Sequence, residues 1–168
     1  AAVTVLGAVV YGTVTAGDET ICNTTTSAGV NPANITLSTA PSGSGSFTYQ
    51  WYYQDVVAGA NAPPACPLAA DAAPGVWILI AGATAASYDP PAGVLKHRTY
   101  AVRVTPAGAP TCPGGAKWVT TCRKVTVRAL TGNFAPSGTT TGTVYFAAVG
   151  CASGLMVTTA DAAIMKYG

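Results

Sequence analysis

The chain carries little charge. Only 8% of its 168 residues are Asp, Glu, Lys or Arg, against about 25% in an average soluble domain. The formal net charge of +2 is small, and no Lys/Arg cluster alternates with aromatic residues, which argues against nucleic-acid binding. The apolar fraction of 49% argues against disorder. No apolar run is long enough to cross a bilayer, so no membrane span is expected.

The few charges are unevenly distributed. The chain has no Lys or Arg before Lys96 but five acids there, and all eight basic residues and a single acid follow. One interpretation is that complementary patches steer association with copies of the chain or with similar modules. The other is that antiparallel strands interleave the two halves, so that no surface dipole remains. The sequence leaves both open.

The usual catalytic arrangements are missing. The only histidine, His97, lies between Lys96 and Arg98 with no carboxylate nearby in sequence, so we interpret it as part of a solvated basic turn rather than a general base. There is no G-x-S-x-G motif and no phosphate-binding glycine loop before a helix. A single histidine and no C-x-x-C pair argue against a zinc site. We expect no catalytic residue and no cofactor.

A calcium site is the metal site that the sequence best allows. Asp18, Glu19 and Asp89 could supply oxygen ligands at a domain end. The same residue types are common in turns, and Asp89 precedes a Pro pair. We therefore predict no metal site.

The five cysteines are Cys22, Cys66, Cys112, Cys122 and Cys151. Scattered cysteines with few charges predict disulfides in an oxidising, extracellular setting, secreted or on the cell surface. In a sandwich, Cys22 and Cys66 would lie at one end and Cys112 and Cys122 would flank the last hairpin at the other. These are the preferred pairs, and Cys151 stays unassigned. The start, AAVTV, suits either a mature end left by cleavage or a piece of a longer chain.

Short Val/Thr/Tyr-rich runs between Gly/Pro/Asn/Ser clusters indicate strands, and no stretch keeps a helical period. Their alternation of inward and outward residues predicts an all-β fold, a β-sandwich. The predicted strands cover residues 3–17, 19–22, 33–40, 47–53, 76–82, 98–106 and 118–130.

Two of these runs alternate most clearly. In residues 47–53 the odd-numbered aromatics share a face, and Trp51 is the candidate central core aromatic, with an exposed, ligand-stacking Trp as the alternative. Tyr100 is the second candidate, in residues 98–106. The Pro/Ala-rich insert 54–75 predicts a long irregular loop, with Cys66 as its tether.

The C-terminal tail resembles the start of the chain, since GTVYFAAVGC (142–151) is similar to GTVTAGDETIC (12–22). We divide the chain into an N-terminal joining strand, 1–11, a domain, 12–130, and a C-terminal extension or start of a second module, 131–168.

Five stretches occur in an order that resembles a known family: GTVTAGDETIC, GSFTYQWYY, WILIAGATAASYDPPAG, RTYAVRVTPAG and CRKVTV. Residues of about 9–128 resemble the Ig-like repeats of large Bacteroidota cell-surface and secreted proteins, including adhesins and gliding-associated proteins. The resemblance implies an Ig-like β-sandwich and an extracellular setting, but no reaction. In the simpler repeats the first cysteine reaches the last hairpin, which differs from the pairing above.

The expected function is that of a structural module in an extracellular fibre, stalk or surface adhesin. Copies or like modules would join end to end, and strand exchange is one route. The joining residues are Val3, Val5 and Val9 near the start and Val144 and Phe146 in the tail.

The alternative is a carbohydrate- or protein-binding module, with a surface glycan as a candidate partner. Its ligand would stack on the aromatics Tyr52, Tyr53, Trp77 and Trp118, beside the long insert. An enzyme is not expected.

Overall fold

The computed structural model describes residues 8–15, 17–23, 31–43, 45–58, 60–107, 115–129, 143–146 and 155–158. The described residues form strands and no helix, which confirms the all-β prediction. In this part of the chain, accordingly, no helix is long and apolar enough to cross a membrane. The strands are β1 (Thr13–Val14), β2 (Glu19–Asn23), β3 (Ile35–Thr39), β4 (Ser46–Asp55), β5 (Ile78–Leu79), β6 (Ser87–Tyr88), β7 (Arg98–Ala107), β8 (Lys117–Trp118), β9 (Arg123–Ala129), β10 (Thr143–Phe146) and β11 (Leu155–Thr158).

The strands form two sheets and a separate hairpin. The smaller sheet has the order β1-β3-β6, and the larger has the order β2-β9-β7-β4-β5, with β8 also paired to β7. The pairing of β2 with β9 is parallel, and the other pairings are antiparallel. Strands β10 and β11 pair with each other.

The long pair β4–β7 defines two poles of the domain. Its ten residue pairs run from Ser46 opposite Ala107 to Asp55 opposite Arg98, a length of about 30 Å. We call the two ends the Ser46 pole and the Asp55 pole. Val10 forms a bridge with Ser42, just before β4, so the first described residues lie at the Ser46 pole.

The last strand of the larger sheet leaves at the other pole. Strand β9 runs antiparallel to β7, with Arg123 opposite Tyr100 and Val125 opposite Arg98. Its remaining residues, to Ala129, continue past the start of β7. The first described residues and the end of β9 therefore lie at opposite poles.

One hydrophobic core draws side chains from both sheets. Val14 and Ile35 of the smaller sheet join Trp51, Tyr100 and Val125 of the larger sheet in a single buried cluster. Trp51 and Tyr100 have no solvent exposure. Alternation in β4 and β7 places these rings on the inner face, because successive side chains of a strand point to opposite faces.

The central Trp51 is held in place by β6 of the smaller sheet and by the residues just before it. The Trp51 indole N–H donates a 2.9 Å hydrogen bond to the Ala85 carbonyl oxygen, and its ring stacks on Tyr88 with centroids 6.0 Å apart. Tyr88 belongs to β6, which pairs with β3. The sequence predicts a turn over residues 83–93, with no strand in it. Strand β6 forms within that segment and is stabilised by the contact of Tyr88 with Trp51 between the sheets.

Two other predicted strands are shorter or interrupted. The run 118–130 is split, because residues 119–122 leave the strand between β8 and β9. Of the run 3–17, residues 13–14 form β1, and Val3 and Val5 lie outside the described residues. In the tail, residues 143–146 form β10 and residues 155–158 form β11.

Candidate functional site

The outer face of the larger sheet is covered by the Pro/Ala-rich insert. Residues 54–55 belong to β4, and residues 56–77, which we call the strap, lie over a second apolar cluster. We call that cluster the outer cluster. It consists of Tyr52, Ala101, Trp118 and Cys122, with Cys66 and Trp77 packed against it. The sheet is therefore covered on both faces around Tyr52 and Ala101, whereas Thr48 on the same outer face stays exposed.

The strap is anchored to the sheet at several points. Cys66 is disulfide-bonded to Cys122, with Cα atoms 5.5 Å apart. The Thr99 hydroxyl donates a 2.6 Å hydrogen bond to the Pro64 carbonyl oxygen. The Trp118 backbone N–H donates a 2.7 Å bond to the Ala70 carbonyl oxygen. The insert is thus tethered through Cys66, but to an unexpected partner.

The disulfide corrects both preferred pairings. Cys66 does not bond Cys22, and Cys122 does not bond Cys112. The strap leaves the Asp55 pole and crosses the sheet to the residue just before β9, which is Cys122. Cys112 and Cys151 lie outside the described residues. Cys22 is level with Arg128 in the β2–β9 register, and Cys122 is already bonded, so the first cysteine does not pair with Cys122 either.

The rings of the binding-module alternative do not form an exposed platform. Tyr52 is 9% and Trp118 is 1% exposed, and the two rings meet edge-on at 5.0 Å. Trp77 packs on Trp118 at 5.3 Å, and Tyr53 packs against the inner core. Sequence alternation assigns Tyr52 to a solvent-facing surface, and this is wrong because the strap covers that surface.

The uneven charge is matched within the fold. Three ion pairs each join an acid of the first half to a base of the second: Asp55 to Arg98 at 2.6 Å, Asp71 to Lys117 at 3.0 Å and Glu19 to Arg123 at 3.0 Å. This geometry favours the interleaved interpretation over complementary surface patches.

A cluster of polar groups lies at the Asp55 pole. Arg98 donates two hydrogen bonds to Asp55, at 2.6 and 3.1 Å, and its guanidinium lies 4.0 Å from the Tyr53 ring centre. Burial raises the pKa of the Tyr100 phenol, against the lowering effect of Arg98. The phenol is therefore protonated at neutral pH, and the ion pair of Arg98 with Asp55 links β7 to β4 at this pole.

His97 is a structural link rather than a solvated turn residue. Its Nδ1 accepts a 3.0 Å hydrogen bond from the Val127 backbone N–H. Its carbonyl oxygen accepts a 2.9 Å bond from the Val56 N–H. The ring therefore fastens β9 beside the start of β7, and the backbone carbonyl of the same residue holds the start of the strap.

The calcium candidates do not converge. Both carboxylate oxygens of Glu19 accept from the Ala33 N–H, at 3.2 and 3.0 Å, and one also binds Arg123. Asp18 precedes β2 and Asp89 follows β6, both exposed. Within the described ranges no three His, Cys, Asp or Glu residues form a group that could hold a metal ion.

Three of the predicted joining residues fall on described segments. Val9 is half-buried next to Gly43 at the Ser46 pole. Val144 and Phe146 lie in β10, where they stand opposite Val157 and Leu155.

Comparison of the chain with protein-family models, with curated proteins and with solved structures found no match.

Proposed function

We propose that the chain is an Ig-like β-sandwich that serves as a structural module of an extracellular fibre, stalk or surface adhesin. Neighbouring modules join end to end. The observation that carries the proposal is the path of the chain, which enters beside Ser42 at the Ser46 pole and leaves β9 at the Asp55 pole. A module that is entered at one pole and left at the other, with the poles about 30 Å apart along β4 and β7, extends a line when it is repeated.

The division of strands supports the Ig-like assignment. In Ig domains of the variable type, strands C, F and G share a sheet with the added strand C′, and strands A, B and E lie in the other. Here β5, β4, β7 and β9 are neighbours in one sheet, and β1, β3 and β6 form the other. The buried Trp51 on the strand equivalent to C matches the central Trp of that fold.

The extracellular setting is supported by the disulfide. A covalent bond between Cys66 and Cys122 persists in oxidising compartments and is rare in the cytosol. The low charge of the chain is consistent with a module whose surface meets other modules rather than nucleic acid.

Strand exchange is supported by exposed apolar residues at a sheet edge that carries no charge. Strand β5 ends the larger sheet, and its residues Ile78 and Leu79 are 48% and 53% exposed. Natural sheet edges are commonly protected by charged residues, yet residues 72–88 carry none. The two-stranded β10–β11 hairpin would be marginal by itself and could be completed by such an edge in a neighbouring copy.

Electron microscopy and sedimentation of the intact chain test this function. We expect linear assemblies with an axial repeat of about 40 Å, the length of the strands plus their loops. Deleting residues 1–11, or separately 143–158, is expected to shorten them, with circular dichroism confirming that the deleted forms remain folded. Leu68→Ser, at a 94% exposed position on the strap, is the control and should leave the assemblies intact. Discrete monomers of the intact chain at every concentration would contradict the proposal.

A further inference from the structure

We propose that the strap is a redox-dependent lid. It is closed over the outer cluster while the Cys66–Cys122 disulfide is intact, and it opens when that bond is reduced, while the two-sheet core stays folded. This device goes beyond the structural role proposed above and does not depend on it.

The core does not need the strap. The inner cluster and the residues packed against it come from the two sheets, from Tyr11, from the segment 80–94 and from Val119, and they include none of residues 56–77. The outer cluster, in contrast, depends on two residues of the strap, Cys66 and Trp77. Opening the strap therefore removes packing from one face of the larger sheet only.

The strap has little structure of its own. No strand is assigned within the described residues of 56–77. The backbone hydrogen bonds between its described residues are turns, from Ala60 to Val57, from Ala72 to Ala69 and from Trp77 to Pro74. A segment with few cooperative hydrogen bonds opens at a lower free-energy cost than the sheet beneath it.

Its non-covalent anchors are few. Two hydrogen bonds link its middle to the sheet, through Thr99 and through the Trp118 N–H. The ion pair of Asp71 with Lys117 involves a largely exposed carboxylate, and such pairs contribute little. The Trp118 indole N–H is buried with no hydrogen-bond partner in the described part of the chain, and opening returns it to water. The disulfide is thus the strongest single restraint.

The chemical step is thiol–disulfide exchange with a dithiol. A thiolate of the reductant attacks Sγ of Cys66, the more accessible of the two sulfurs, because Cys66 is half-buried and Cys122 is buried. The Cys66–Cys122 bond breaks and Cys122 leaves as a thiolate that takes up a proton. The second thiol of the reductant then displaces Cys66, so the products are two cysteine thiols and a cyclic disulfide of the reductant.

Two adjacent backbone amides report on the lid. The Trp118 N–H is bonded to Ala70 of the strap, whereas the Val119 N–H is bonded to Val102 of β7, at 3.0 Å. Residue-resolved hydrogen exchange of the full chain is measured before and after dithiothreitol, and in the double variant Cys66→Ser/Cys122→Ser, which isolates this bond from the other cysteines.

Loss of the disulfide is expected to speed exchange at Trp118 at least about tenfold and to change Val119 by less than about twofold. Tryptophan emission should shift to longer wavelength as Trp77 and Trp118 meet water. Leu68→Ser, on the strap but outside its anchors, is the control and should leave both amides protected. Retained protection at both amides would overturn the lid, because the non-covalent anchors would then be sufficient. Equal loss at both would also overturn it, because the strap would then be part of one cooperative unit.

Discussion

The Thr99 hydroxyl donates a 2.6 Å hydrogen bond to the carbonyl oxygen of Pro64, from a side chain with no solvent exposure. Thr99 lies on β7, and Pro64 lies on the strap. This contact connects β7, near the Asp55 pole, to a segment more than thirty residues earlier. It also gives the buried hydroxyl the hydrogen-bond partner that a buried polar group needs.

Replacing Thr99 by Val is expected to lower the free energy of unfolding by about 1–2 kcal/mol, since the shape is kept but the Pro64 carbonyl loses its donor. Urea unfolding at neutral pH measures this. Thr126→Val, on β9 and half-exposed, is the matched control and should change stability by less than about 0.5 kcal/mol. Equal effects of the two substitutions would contradict the role given to the Pro64 contact.

Truncating Trp51 is expected to lower the free energy of unfolding more than Thr99→Val does. Trp51→Ala removes a fully buried ring and should cost about 3–5 kcal/mol. Trp77→Ala, at a half-buried position over the outer face, should cost less. Thermal unfolding followed by circular dichroism ranks the two variants, and the reverse order would show that the central packing lies elsewhere.

Alkaline pH is expected to destabilise the fold through Tyr100. Burial raises the pKa of this phenol in the folded state above its ordinary value of 10.0. The folded state therefore holds the proton more tightly, so the stabilisation is present below about pH 10 and is lost as the pH rises above it. Unfolding free energies between pH 8 and pH 11 should fall for the native chain and fall less for Tyr100→Phe. Parallel pH profiles would rule out Tyr100 as the source, and Tyr88, whose pKa burial also raises, would be the next to substitute.

Alanine substitutions at Gly12 and Gly82 distinguish the cost of backbone strain from the cost of steric overlap. Both have positive φ, of 82° and 75°. A Cβ on Gly12 would overlap the carbonyl oxygen of Thr39, whereas one on Gly82 would meet no atom within 4 Å. Gly82→Ala should cost about 1–2 kcal/mol from the left-handed backbone alone, and Gly12→Ala should cost more. Chemical denaturation of both variants checks the order, and a milder effect at Gly12 would mean that β1 shifts away from β3 without penalty.

Local sequence pattern was sufficient for the inner half of the fold. Alternation along β4 and β7 predicted which residues face inward, and both candidate aromatics, Trp51 and Tyr100, lie there fully buried. Strand β6 was not predicted from the sequence. Ser87–Tyr88 has no local pattern of its own, and it becomes a strand through its pairing with β3 and the stacking of Tyr88 on Trp51.

The outer half depended on contacts between distant residues. Tyr52 follows Trp51 directly, and alternation assigns it to solvent, yet the strap buries it. The same strap joins Cys66 to Cys122 across a sequence separation of 56. Spacing alone does not select one connectivity among several cysteines, because any two that the fold brings within reach satisfy the chemistry.

By itself the sequence determined that this protein is built of strands and which side chains of those strands form its core, because a two-residue period is a local property of the chain. Only the tertiary structure decided the cysteine partner of the strap, the burial of the second face and the pairing of early acids with late bases. Those outcomes depend on which distant segments lie together, and the distance between two side chains in space is not encoded in their separation along the chain.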